Sequence, residues 1–121
     1  MAEILNRGYE SLRKGIDPNA TAEKFNVIEL TDSGSGVLRL QLSDSRVTIN
    51  SGTGANPYEI EVTVSPSDAD VSAGQSFDGS RLYFEDVDGS QVTPIETYSS
   101  VTLNNSEDEL TVRHQVKIPQ I

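Results

Sequence analysis

The chain has 121 residues, no cysteine, and 19 Asp+Glu against 9 Lys+Arg, a formal net charge of −10 at pH 7. That length fits a single domain over 1–121, and the lack of cysteine excludes a disulfide framework and a thiolate metal site. The charge opposes partnership with nucleic acid or with an anionic membrane, because both would repel it. No apolar run is long enough for a transmembrane helix or for the core of a secretory leader, so synthesis in the cytoplasm is expected. Acids are spread along the whole chain, and Lys14, Lys24 and Lys117 are its only lysines. Such a surface fits a salt-rich host interior or an ordinary acidic domain, since scattered carboxylates keep water bound when salt screens other charges.

Residues 2–15 read as a helix. Ile4, Leu5, Tyr9, Leu12 and Ile16 recur at helical spacing. Glu3 suits the positive helix start, and Arg13 and Lys14 the negative end. Gly15 reads as the C-terminal cap, and Pro18 prevents resumption. A helix this short does not persist alone in water, so its apolar stripe must dock on its own sheet or on a neighbouring subunit. Ile4, Leu5, Tyr9 and Leu12 are therefore the candidate interface residues of a docking helix over 1–16.

Beyond Thr21 the period changes from 3.6 to 2. Strands are expected over Glu23–Thr31, Val37–Leu42, Arg46–Ile49, Tyr58–Val64, Arg81–Glu85, Thr97–Leu103 and Glu109–Ile118. Alternation is cleanest in two of them. Tyr58, Ile60, Val62 and Val64 share one face; so do Leu110, Val112, His114, Val116 and Ile118. Turn residues fall between these runs, at Asp32–Gly36, Ser51–Pro57, Asp78-Gly79-Ser80, Asp88-Gly89-Ser90 and Asn104-Asn105-Ser106. Pro94 marks an edge, a bulge or a loop. Ser65–Phe77 lacks a strand pattern and is the candidate contact loop. About seven short strands with regular turns predict a mainly β fold: an antiparallel β-sandwich over 23–118 preceded by the short helix.

No catalytic constellation is legible in the sequence. The single histidine, His114, lies in phase with apolar strand residues, which reads as a core or interface position rather than a catalytic one. With no cysteine and one histidine, a zinc site would need carboxylates for nearly all its ligands. No G-x-S-x-G elbow supports a hydrolase, and Gly52-Thr53-Gly54 lacks the spacing and the lysine of a phosphate loop. Asp86-Val87-Asp88-Gly89-Ser90 opens as a calcium loop does, with oxygen ligands at alternate positions. The closing Glu is missing, so Asp86 and Asp88 are candidate Ca²⁺ ligands set against a plain hairpin turn, and no firm metal or cofactor follows. Asp68-Ala69-Asp70 is a second acidic pair, read as a loop. The acceptor patterns at Asn19-Ala20-Thr21 and Asn104-Asn105-Ser106 are read as incidental.

Leu5-Asn6-Arg7-Gly8-Tyr9-Glu10-Ser11-Leu12-Arg13, Phe25-Asn26-Val27-Ile28, Ser100-Val101-Thr102-Leu103 and Glu109-Leu110-Thr111-Val112-Arg113-His114-Gln115-Val116-Lys117-Ile118 stand in an order that resembles small β-sandwich virion proteins of tailed bacterial and archaeal viruses. The family's first-strand G-T-G turn is replaced here by Glu29–Gly34, and its last-strand aromatic by His114. The resemblance implies a non-enzymatic structural protein of the virion, carried in repeated copies as capsid decoration or cement. Tail, baseplate or fibre attachment is the alternative within that family. Its partners would be other virion proteins and copies of itself, with no nucleic acid and no membrane. A carbohydrate- or cell-surface-binding module is the other alternative, with Tyr58, Phe77, Tyr83 and Tyr98 as its aromatic candidates.

Overall fold

A computed structural model describes residues 4–50, 52, 57–84 and 90–117. One helix, α1 (Asn6–Ile16), precedes eight strands: β1 (Val27–Asp32), β2 (Ser35–Gln41), β3 (Val47–Ile49), β4 (Tyr58–Val64), β5 (Gln75–Phe84), β6 (Ser90–Gln91), β7 (Glu96–Leu103) and β8 (Leu110–Val116). All pairings are antiparallel. One sheet runs β2-β1-β5, with β6 and β7 sharing the far side of β5; the other runs β3-β4-β8.

The period-2 pattern positions the core. Ile60, Val62 and Val64 stand opposite His114, Val112 and Leu110 in the β4–β8 ladder. From the larger sheet, Ile28, Leu30, Leu38, Leu40, Leu82 and Phe84 meet them in one buried cluster. Two antiparallel sheets closing on a shared apolar layer make the expected sandwich. Phe77 and Phe84 are among its largest fully buried side chains, each contributing about 1.5–3 kcal/mol by leaving water.

β1 departs from simple alternation, because Val27 through Thr31 are all buried. Leu30 and Ile28 face the core, while Glu29 lies on the outer face between its register partners Arg39 and Arg81. Both guanidinium groups bond its carboxylate, Arg39 Nε at 3.0 Å and Arg81 Nη2 at 2.7 Å. They also stack over the Tyr83 ring, at 4.2 and 5.4 Å from its centroid. A Cβ at Gly36 would fall 2.5 Å from the Glu29 carboxyl carbon, so the missing side chain lets the acid lie flat across β2.

Several expectations are corrected. Asp78-Gly79-Ser80 is the middle of β5 rather than a turn, and its register against β7 slips between Phe77 and Gly79. The bulge turns Asp78 outward, where its carboxylate accepts the Ser33 N–H at 3.1 and 3.2 Å. Ser33 needs that support: with Gly34 it forms the β1–β2 hairpin turn at φ 52° and 84°, the left-handed pair that such two-residue turns demand. The expected loop over Ser65–Phe77 ends at Gly74, because Gln75 to Phe77 pair with Leu103 to Val101. The first strand starts at Val27 rather than Glu23, and β6 is an eighth, two-residue strand before the Pro94 loop. Gly15 lies inside α1, whose cap residue is Asp17.

Candidate functional site

The chemically richest side chains converge inside the sandwich. His114, fully buried on β8, faces β5 and β7 across the core. Ser80 Oγ lies 2.7 Å from its Nδ1, and Thr93 Oγ1 3.4 Å from its Nε2. Glu96 Oε2 stands 3.6 Å from the same Nδ1 that meets Ser80. Ser80 and Glu96 are register partners on β5 and β7, and Thr93 Oγ1 also accepts the Leu82 N–H at 3.1 Å. Loss of solvent pushes the imidazole down to a pKa of about 4, against a raising pull from Glu96. The ring is neutral at pH 7.

Serine, histidine and acid are the components of a hydrolytic relay, but their geometry is different. A relay sets the hydroxyl on one ring nitrogen and the carboxylate on the other, so that a proton can be taken on one side and the charge supported on the opposite side. Here Ser80 and Glu96 address the same nitrogen. Ser80, Thr93 and His114 also have essentially no exposed surface, so no substrate atom can reach them. Ser80, Thr93 and His114 satisfy one another's buried polar atoms, which fixes how β8 seats on the larger sheet.

The acidic pair of the sequence lies elsewhere. Asp68 and Asp70 join Asp44 around one guanidinium, Arg46, in a shallow open depression. Arg46 meets Asp44 at 2.9 Å, Asp70 at 2.6 Å and Asp68 at 3.3 Å. Its hydrogen bonds hold the Asp44 carboxyl down to about 2 and lower that of Asp70. The cation is already inside the cluster, which therefore clamps the β2–β3 turn to the loop after β4. Asp86 and Asp88 lie outside the described residues, and among those described no group of three or more His, Asp or Glu is placed to hold a metal.

The helix sits on only the N-terminal part of its apolar stripe. Its buried helical residues are Gly8 and Ser11. A Cβ at Gly8 would fall 3.0 Å from Val92 Cγ1, so glycine allows the close approach. Ser11 Oγ donates to the Glu23 carbonyl at 2.9 Å, and Lys14 and Arg7 both pair with the Glu23 carboxylate, lowering its pKa. The Arg7 guanidinium lies 4.8 Å from the Phe84 ring centroid. Leu5 caps the helix with its carbonyl, which accepts the Gly8 N–H at 2.8 Å, and donates its own N–H to the Val92 carbonyl at 2.7 Å.

Of the candidate interface residues, Ile4 belongs to this chain's own core. Leu5 and Tyr9 are half-buried, and Tyr9 packs against that core. Leu12 is 40% exposed, and Ile16, one turn on, 86% exposed. The aromatic candidates offer no open platform. Phe77 and Tyr83 are buried, Tyr58 packs edge-on against Phe25, and the half-buried Tyr98 donates its hydroxyl to the Gly79 carbonyl at 3.2 Å. Sequence reasoning missed Ser80, Thr93, Glu96, Glu23 and Glu29, which no local spacing marks. Among the described residues no helix is long and apolar enough to cross a membrane. The chain matches no family model, no curated protein and no solved structure.

Proposed function

We propose that this chain is a non-enzymatic structural protein of a tailed-virus particle, carried in repeated copies as capsid decoration. The mounting of α1 is the observation that carries the reading. Small and charged residues hold the helix to the sandwich, and Leu12 and Ile16 are left facing outward. A held helix with an open apolar ridge suits attachment to a shell protein at little cost in ordering. The burial of Ser80 and His114 in the core supports the same reading. A formal net charge of −10 over the chain suits the outer surface of a particle and opposes packaged DNA.

Purified particles from a host carrying this chain test the reading. Wild-type protein is expected in a fixed ratio to the shell protein, with its density repeated over the capsid in a reconstruction. The double variant Leu12→Glu/Ile16→Glu should keep its fold yet stay in the soluble pool. Particles that never contain the wild-type chain overturn the proposal, and density confined to the tail axis replaces decoration with tail attachment.

A further inference from the structure

We propose that β8 is a self-pairing edge: two copies of this chain join antiparallel through Glu109–Arg113, at the N-terminal half of β8, merging two three-stranded sheets into one of six strands across a two-fold axis. The pairing rests on the reading of the chain as an assembly protein, but it uses a different surface from the helix. β4 directs its odd-numbered residues to β3, since the Glu59 carbonyl accepts Asn50 N–H and Thr63 N–H donates to the Arg46 carbonyl, both at 3.1 Å. In an antiparallel ladder the bonding side alternates. The even-numbered residues of β4 therefore bond to β8, and their partners are Leu110, Val112, His114 and Val116. Thr111, Arg113 and Gln115 consequently point both N–H and C=O away from the sheet. On that side β8 has no strand neighbour among the described residues.

The other rim strands carry features that discourage addition of a further strand. β3 has three residues, and the ladders of β2 and β7 both slip register. β8 runs through seven unbroken pairs and contains neither proline nor glycine. Its one full charge, Arg113, lies open at the surface and uses only Nε toward Glu61 of its own sheet, at 2.9 Å.

A two-fold axis makes such an edge its own complement, because each donor on one copy finds an acceptor on the other. Any axis through a residue of β8 keeps outward-bonding residues opposite one another; on His114 it sets Arg113 against Gln115, and on Gln115 against Lys117, a like charge. Centring on Arg113 opposes two like charges, which destabilises a strand pair. Centring on Val112 sets Arg113 against Thr111, with no charge pair directly opposed. Centring on Thr111 sets Arg113 opposite Glu109 of the second copy, twice by symmetry, with Leu110 opposite Val112. Glu109 is exposed and makes no ion pair or hydrogen bond among the described residues. Charge complementarity selects this register.

The test uses the full chain, which has no cysteine of its own. Sedimentation equilibrium should give twice the mass of one chain, and Arg113→Pro should give a folded monomer, since the lost N–H points outward and β4 does not use it. Of the single variants Thr111→Cys, Arg113→Cys and Gln115→Cys, only Thr111→Cys should cross-link, because its Cα meets its own copy at about 5.5 Å. A wild-type monomer at millimolar concentration, a dimer undisturbed by Arg113→Pro and Glu109→Lys, cross-linking at another position, or uptake of a different protein's strand each overturns the proposal. Dimers of this kind in a protein never recovered from particles overturn only the particle role.

Discussion

Acidification should unfasten the sandwich at His114 before it disturbs the surface. In the unfolded chain this histidine takes a proton near its ordinary pKa of 6.5, whereas burial holds the folded group to about 4. A depressed histidine binds fewer protons in the folded state across that interval, so its contribution is complete above 6.5 and is lost as pH falls. At about 1.4 kcal/mol per pH step of one, the loss reaches about 3 kcal/mol by the lower end of the interval. The ion-paired carboxylates act in a separate window. Asp44, held to about 2, gives up its contribution only below its ordinary value of 3.8, and Asp70, Glu23 and Glu59 are likewise lowered. Urea unfolding of wild type and His114→Gln between pH 7 and 4 separates the two windows. The wild-type midpoint should fall steadily below pH 6.5, and the variant should start less stable but change little until the carboxylates titrate. Parallel curves for the two proteins, or an imidazole NMR signal titrating near 6.5 in the folded state, would falsify the reasoning.

Two further changes probe the strands that frame this core. Gly79→Ala places a methyl group 2.5 Å from Thr31 Oγ1 and 2.7 Å from Ile95 Cγ2, an overpacked contact expected to cost about 1–3 kcal/mol in denaturant unfolding; an unchanged midpoint would return Gly79 to an open turn. Glu29→Gln keeps the shape but removes the charge between Arg39 and Arg81, with an expected loss of about 2 kcal/mol and a lower melting temperature. A melt indistinguishable from wild type would make those ion pairs incidental to the fold.

Alternation was the legible part of this fold. Tyr58–Val64 is a strand from the first residue expected to the last, because one side is apolar and the other carries Glu59, Glu61 and Thr63. Arg81–Phe84 is strand as expected, but the first half of β5 was hidden for the opposite reason. Its bulge uses Asp, Gly and Ser, the same types that build turns, and only the close approach of Thr31 and Ile95 distinguishes the two. The helix misled in a related way. Hydrophobic spacing marks Leu5, Tyr9, Leu12 and Ile16, but a glycine and a serine make the close contact, and smallness leaves no periodic trace. The burial of His114 was readable from its phase. Its partners were not, since Ser80, Thr93 and Glu96 come from segments that only the pairing of β5 with β6 and β7 brings together.

The order of the strands along the chain also governs when the interior becomes dry. β5 needs both β1, some fifty residues upstream, and β7, twenty downstream, and pairings of such separation form late. β8 comes last of all eight, yet it supplies half of the apolar wall opposite the larger sheet and the imidazole that engages Ser80 and Thr93. During synthesis, therefore, the nascent sandwich stands open along one side, with β4 lacking its neighbour, until the final strand clears the ribosome and shuts the barrier against water.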